Sequence, residues 1–111
     1  MNCRYSNVFV IDAEVVCGAD QAIILSDVSQ SFHLMNVMVS GEAGAQVVVW
    51  NGPLRAATVL VGATAETTDA NCTFSARAEI KCAVTGGSVN RVQLLCRALN
   101  SKARPVQVQV V

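Results

Sequence analysis

Charge is scarce in this sequence. Of 111 residues, eight are Lys or Arg and eight are Asp or Glu, so 14% are charged and the formal net charge is zero. An average soluble domain carries about 25% charged residues. Aromatic residues make up only 5%, and there are two prolines and one histidine, His33. Each shortage excludes something. Without a basic surplus there is no electrostatic footprint for nucleic acid or an anionic membrane, so neither is expected as a partner. No apolar run approaches the ~20 residues of a membrane-spanning helix. Met1-Asn2-Cys3-Arg4 is not followed by the apolar stretch of a secretory signal, so synthesis in the cytoplasm is expected. The glycine pairs Gly41–Gly44 and Gly86-Gly87 lack the lysine and following helix of a phosphate-binding loop, which makes them turns.

What the chain does have is apolar surface, 52% of its residues, laid out with a period of two. Phe74, Ala76, Ala78, Ile80, Cys82 and Val84 alternate with Ser75, Arg77, Glu79, Lys81 and Thr85. Val92, Leu94, Cys96 and Ala98 alternate with Arg91, Gln93, Leu95 and Arg97. Alternation of this kind marks strands with one buried face. Thr85-Gly86-Gly87-Ser88 lies between the two arms, so the stretch from Cys72 to Leu99 reads as a β-hairpin. A three-residue loop would set Cys82 opposite Val92, Ile80 opposite Leu94 and Ala78 opposite Cys96, with a left-handed glycine forming a bulge.

Further strands are expected over Asn7 to Cys17, Phe32 to Ser40, Gln46 to Trp50, Leu54 to Val61 and Pro105 to Val111, with Ala22 to Leu25 too short to assign alone. Asn51-Gly52-Pro53 supplies strong turn chemistry. The stretch from Gly62 to Asn71, small and polar, reads as a surface loop. About eight strands with frequent turns in a chain of this length imply one all-β domain over residues 1–111, a single antiparallel β-sandwich of jelly-roll-like or similar type, with a closed β-barrel as the alternative.

Candidate sites are few. The five cysteines, Cys3, Cys17, Cys72, Cys82 and Cys96, form no C-x-x-C pair. They read as buried reduced thiols, a disulfide framework being the lesser alternative. His33 with a cysteine could make a thiol nucleophile or a metal ligand, yet it sits in an apolar strand without ligand-like spacing. No catalytic residue, metal or cofactor is therefore expected, and an enzyme is the third reading. Asp12 and Glu14, two apart, share a strand face and read as solvated acids. Trp50, beside its turn, is the one candidate platform for a sugar, against the plainer role of a packing tryptophan. Arg77, Arg91 and Arg97 line the outward face of the expected hairpin, where cross-strand ion pairs or a subunit contact explain them best.

Three runs carry a resemblance. V-M-V-S-G-E-A-G-A-Q-V-V-V-W-N-G, A-A-T-V-L-V-G-A-T-A-E-T-T, and F-S-A-R-A-E-I-K-C-A-V-T-G-G-S-V-N-R-V-Q-L-L-C-R together are similar to small β-sandwich virion proteins of tailed bacteriophages, of decoration, fibre or tail-associated type. The match rests on Arg77-Ala78 followed by Val84-Thr85-Gly86-Gly87, on the strand ending at Trp50, and on the Thr-rich loop. It covers roughly Val37 to Arg97. The resemblance implies a non-enzymatic subunit, assembled in a host cytoplasm and resident in a virion. Its expected partners are copies of itself, a trimer for example, and other virion proteins. Low charge and zero net charge fit self-association. A glycan-binding module using Trp50 and the loop from Thr64 to Asn71 is the second reading.

Overall fold

The computed structural model describes residues 8–26, 31–62, 64–66, 72–75, 79–98 and 107–111. These residues form ten strands: β1 Val8–Ala13, β2 Ala22–Ser26, β3 Phe32–Gly41, β4 Gln46–Asn51, β5 Leu54–Leu60, β6 Thr64–Glu66, β7 Thr73–Phe74, β8 Ile80–Thr85, β9 Val89–Ala98 and β10 Gln107–Val110. One sheet runs β1-β9-β3-β6, with β7 pairing another stretch of β3, and the second runs β10-β2-β8-β4-β5. All pairings are antiparallel. If β6 and β7 together occupy one position, the two orders are those of a jelly roll with β10 added at an edge. The molecule is a β-sandwich and not a closed barrel.

The interior is what the alternation specifies. Ile11 and Ala13 of β1, Ile23 and Leu25 of β2, Val47 and Val49 of β4, Ile80, Cys82 and Val84 of β8, and Val92, Leu94 and Cys96 of β9 are all buried. Phe32 stacks on Phe74 at 5.0 Å between centroids and meets the edge of Phe9 at 5.9 Å. Three irregularities break the period. β3 buries Phe32 and Leu34, then Val37 and Val39, because the ladder shifts between Leu34 and Asn36. Ala56 and Ala57 are both buried at the shift opposite Val49 and Trp50. Asn90 is the extra residue where the β3–β9 register shifts between Ser40 and Gly41. Each inserted residue moves the side chains beyond it to the other face.

The expected hairpin of residues 72–99 is not present. β8 lies in one sheet between β2 and β4, where Cys82 faces Ile23 and Val49. β9 lies in the other between β1 and β3, where Val92 faces Ala13 and Val39. The pairing of Cys82 with Val92 and of Ile80 with Leu94 is therefore wrong. The two arms cover one another across the core instead of sharing a ladder. Alternation fixes which side of a strand is apolar, and two apolar sides meet equally well from opposite sheets. Gly86 does adopt a left-handed backbone, φ 78°, but it turns the chain across the sandwich and forms no hairpin bulge. β7 joins the first sheet, and Ala76, Arg77 and Ala78 lie outside the described residues. Within the stretch expected as a loop, residues 64–66 are a strand on β3.

The connection that does make a hairpin is residues 51–54. Asn51 pairs with Leu54 across a two-residue loop in which Gly52 has φ 60°. Proline's fixed negative φ at position 53 leaves a type II′ turn as the fit. The C-terminal strand finds its sheet at the free side of β2, with Val108 left 41% exposed.

A close backbone approach joins the β3–β4 and β8–β9 crossings. A Cβ on Gly86 would stand 2.6 Å from the Gly44 carbonyl oxygen, while one on Gly52 meets nothing. Gly52→Ala is expected to cost about 1–3 kcal/mol through positive-φ strain alone. Gly86→Ala carries the same strain plus the overlap, and should cost clearly more. Urea unfolding midpoints of the two variants check this ordering; equal losses would mean the crossings can separate.

Candidate interaction surface

The outward residues of β1, β9 and β3 form cross-strand rows on the first sheet. Register places Val8, Arg97, His33 and Thr73 in the first row, Val10, Leu95 and Asn36 in the second, and Asp12, Gln93 and Met38 in the third. Arg91 and Ser40 follow. Of the sequence-derived candidates, His33, Arg91 and Arg97 thus share one face. Trp50 lies on the outer face of the other sheet, and Arg77 lies outside the described residues.

The middle of this face is apolar. Val10 is 54% exposed and Met38 47%, and with Leu95, Asn36 and Gln93 they line a groove of about 250 Å³. At its floor Asn36 Oδ1 is buried without a hydrogen-bond partner among the described residues, an arrangement that costs about 1–3 kcal/mol. Single exposed apolar residues are ordinary, and large contiguous patches mark contact surfaces; here three such side chains adjoin on one sheet face. Sequence reading passed over this groove. Its signal was Leu95, the one apolar side chain on the polar side of β9, and Val10 opposite it.

Polar groups stand at both ends. Arg91 donates to Asp12 through Nε at 2.9 Å and Nη2 at 2.6 Å, one to each carboxylate oxygen. This hydrogen bond holds the Asp12 carboxyl below its ordinary 3.8 and, with the charge of Asp12, raises Arg91, to which Glu14 also contributes. Both partners are more than a third exposed, so screening by solvent keeps the pair's contribution small.

At the other end His33 contacts two residues next to it in space. Its Nδ1 lies 3.3 Å from Thr73 Oγ1, and Cys72 Sγ lies 3.5 Å from both ring nitrogens. A sulfur in the ring plane and equidistant from the two nitrogens would overlap Cε1, so the thiol sits over the imidazole face. That is a sulfur–aromatic packing contact, not the in-plane hydrogen bond by which an imidazole takes a thiol proton. Asn51 Nδ2 donates to the Thr73 carbonyl at 2.8 Å and Leu34 N to the Cys72 carbonyl at 2.7 Å, which tie β7 to the end of β4 and its approach to β3.

Cys17, Cys72, Cys82 and Cys96 are free and buried. Burial pushes the Cys82 and Cys96 thiols up to about 12, with Cys17 adding to the effect on Cys82, so neither is a nucleophile at neutral pH. Among the described residues no group of three or more His, Cys, Asp or Glu side chains could hold a metal ion.

Trp50 is half-buried, with Lys81 and Arg55 directly across from it on the neighbouring strands. Its side chain faces outward, while Val47 and Val49 on the inner side of the same strand fill the core. Comparison with family models, curated proteins and solved structures finds no match.

A carboxyl whose folded pKa is depressed stabilises the fold above its unfolded pKa, and that stability is lost as pH falls through the folded value. Asp12→Asn should therefore lower the urea midpoint slightly at about pH 6, and the difference from wild type should shrink as pH falls below the ordinary 3.8 and vanish once it is below the folded value. A difference that persists in acid would place the role of Asp12 elsewhere than in its charge.

Proposed function

We propose that the chain is a structural subunit of a bacteriophage virion, a homo-oligomeric β-sandwich that decorates or joins a larger capsid or tail assembly. The observation that carries this reading is the apolar groove of Val10, Leu95 and Met38, open on the outer face of a sheet whose inner face is already covered by the core. A subunit of a particle needs a second apolar surface beyond its core, and little charge to oppose contact. The jelly-roll order fits as well, since viral capsid domains use it, although lectins and other proteins do too. The resemblance of residues 37–97 to small phage virion proteins supplies the particle.

Two measurements test this reading. Sedimentation of the chain at micromolar concentration should show an oligomer, and quantitative mass spectrometry of purified particles should find the chain in a fixed ratio to the major capsid or tail protein. A monomer that never copurifies with particles would end it.

A second reading keeps one observation of its own. Trp50 lies between Lys81 and Arg55 on an outer sheet face, an aromatic surface with cations on both sides that suits an acidic sugar. Binding of the chain to acidic glycans on an array, lost in Trp50→Ala, would favour it; silence on the array removes it.

A further inference from the structure

The outer face of the first sheet is graded along its strands. At one end Arg97 is exposed and makes no ion pair among the described residues, with His33 beside it in register. Val10, Leu95 and Met38 occupy the middle. At the far end the Arg91 guanidinium is taken up by both oxygens of Asp12, and Glu14, exposed nearby, adds a second carboxylate. One cation against two anions leaves that end with a net negative charge, opposite in sign to the Arg97 end.

We infer that this face docks on the same face of a second copy, about a two-fold axis parallel to the sheet, with the strands of the two copies reversed. The inference rests on the self-assembling subunit proposed above and names its surface. A two-fold contact requires a patch that complements itself, and a face positive at one end, apolar in the middle and negative at the other does so in only one sense. Reversed strands bring Arg97 of each copy to Glu14 of the other, while the apolar rows stay in the middle and pack together at the ~10 Å spacing of stacked sheets. Strands running the same way would set Arg97 on Arg97 and acid on acid. Arg97 lies on β9 and Glu14 beyond the end of β1, so the match needs a modest crossing of the two sheets, within the roughly 30° at which twisted sheets stack. Charge complementarity with itself is what selects a second copy over an unrelated partner for the groove.

Charge reversal tests this directly. In sedimentation velocity, R97E and E14R should each weaken self-association at least about tenfold, since each homodimer then carries two like-charge contacts. Mixing R97E with E14R should restore a dimer near wild-type affinity, because in the mixed pair both contacts are again opposite in sign. The R97E/E14R double variant should recover as well. Both changes are at exposed positions, and unchanged urea midpoints will show that the fold is intact. If wild type associates but neither reversal weakens it, or the mixture stays apart, this docking mode is wrong while the self-assembling subunit survives. A wild-type chain that is monomeric throughout overturns both.

Discussion

The fold hangs on a contact between two crossings. The chain passes from one sheet to the other at residues 41–45 and again at residues 86–88, and these segments touch backbone to backbone. A Cβ on Gly41 would meet the Ser88 carbonyl oxygen and Val89 Cα at 2.5 Å, as one on Gly86 would meet Gly44. Glu42 completes the joint: its carboxylate accepts from both the Ser88 N–H and hydroxyl at 2.8 Å, and its own N–H donates to the Ser88 carbonyl at 2.9 Å. β3 is thereby held to β9 and β4 to β8 at one end of the sandwich. With those four central strands fixed, β1 and β2 attach outside β9 and β8, and the remaining strands close the edges.

From this frame follows the division of labour between surfaces. The inner faces are filled by aliphatic side chains, four thiols and the stacked Phe32–Phe74 pair. Part of the apolar area that remains lies on the outer face of the first sheet, where β1, β9 and β3 bring Val10, Leu95 and Met38 together. The one imidazole packs its face on the Cys72 thiol, 3.5 Å from both ring nitrogens. Chemistry at His33 would need that sulfur to move into the ring plane, which the pinning of β7 by Asn51 and Leu34 opposes.

Much of the fold was legible in the sequence because strands with one buried face must alternate. β4, β8 and β9 were readable on that ground, and so were the Gly52–Pro53 turn and the terminal strand. Partnering was not. The even-numbered apolar sets of β8 and β9 meet across the core, and nothing in their periodicity distinguishes that from adjacency in a ladder. Bulges were invisible too. The extra residue near Met35 makes β3 look apolar on both sides, when in the structure it only changes sides midway. Short strands such as β6 and β7 carry too few residues to show a period. For the surface, the sequence placed Arg91 and Arg97 facing outward, but the groove depends on three strands distant in the chain, and only their register assembles it.

One rim of the sandwich has a consequence for how copies can meet. Among the described residues β5 ends the second sheet, and the register shift that buries Ala56 beside Ala57 bends it where a straight strand would offer a long row of free amides and carbonyls. An extended foreign chain cannot zip along so bent a border. Runaway stacking into fibrils is discouraged there, and growth of an assembly is steered to broad surfaces, whose stoichiometry is finite.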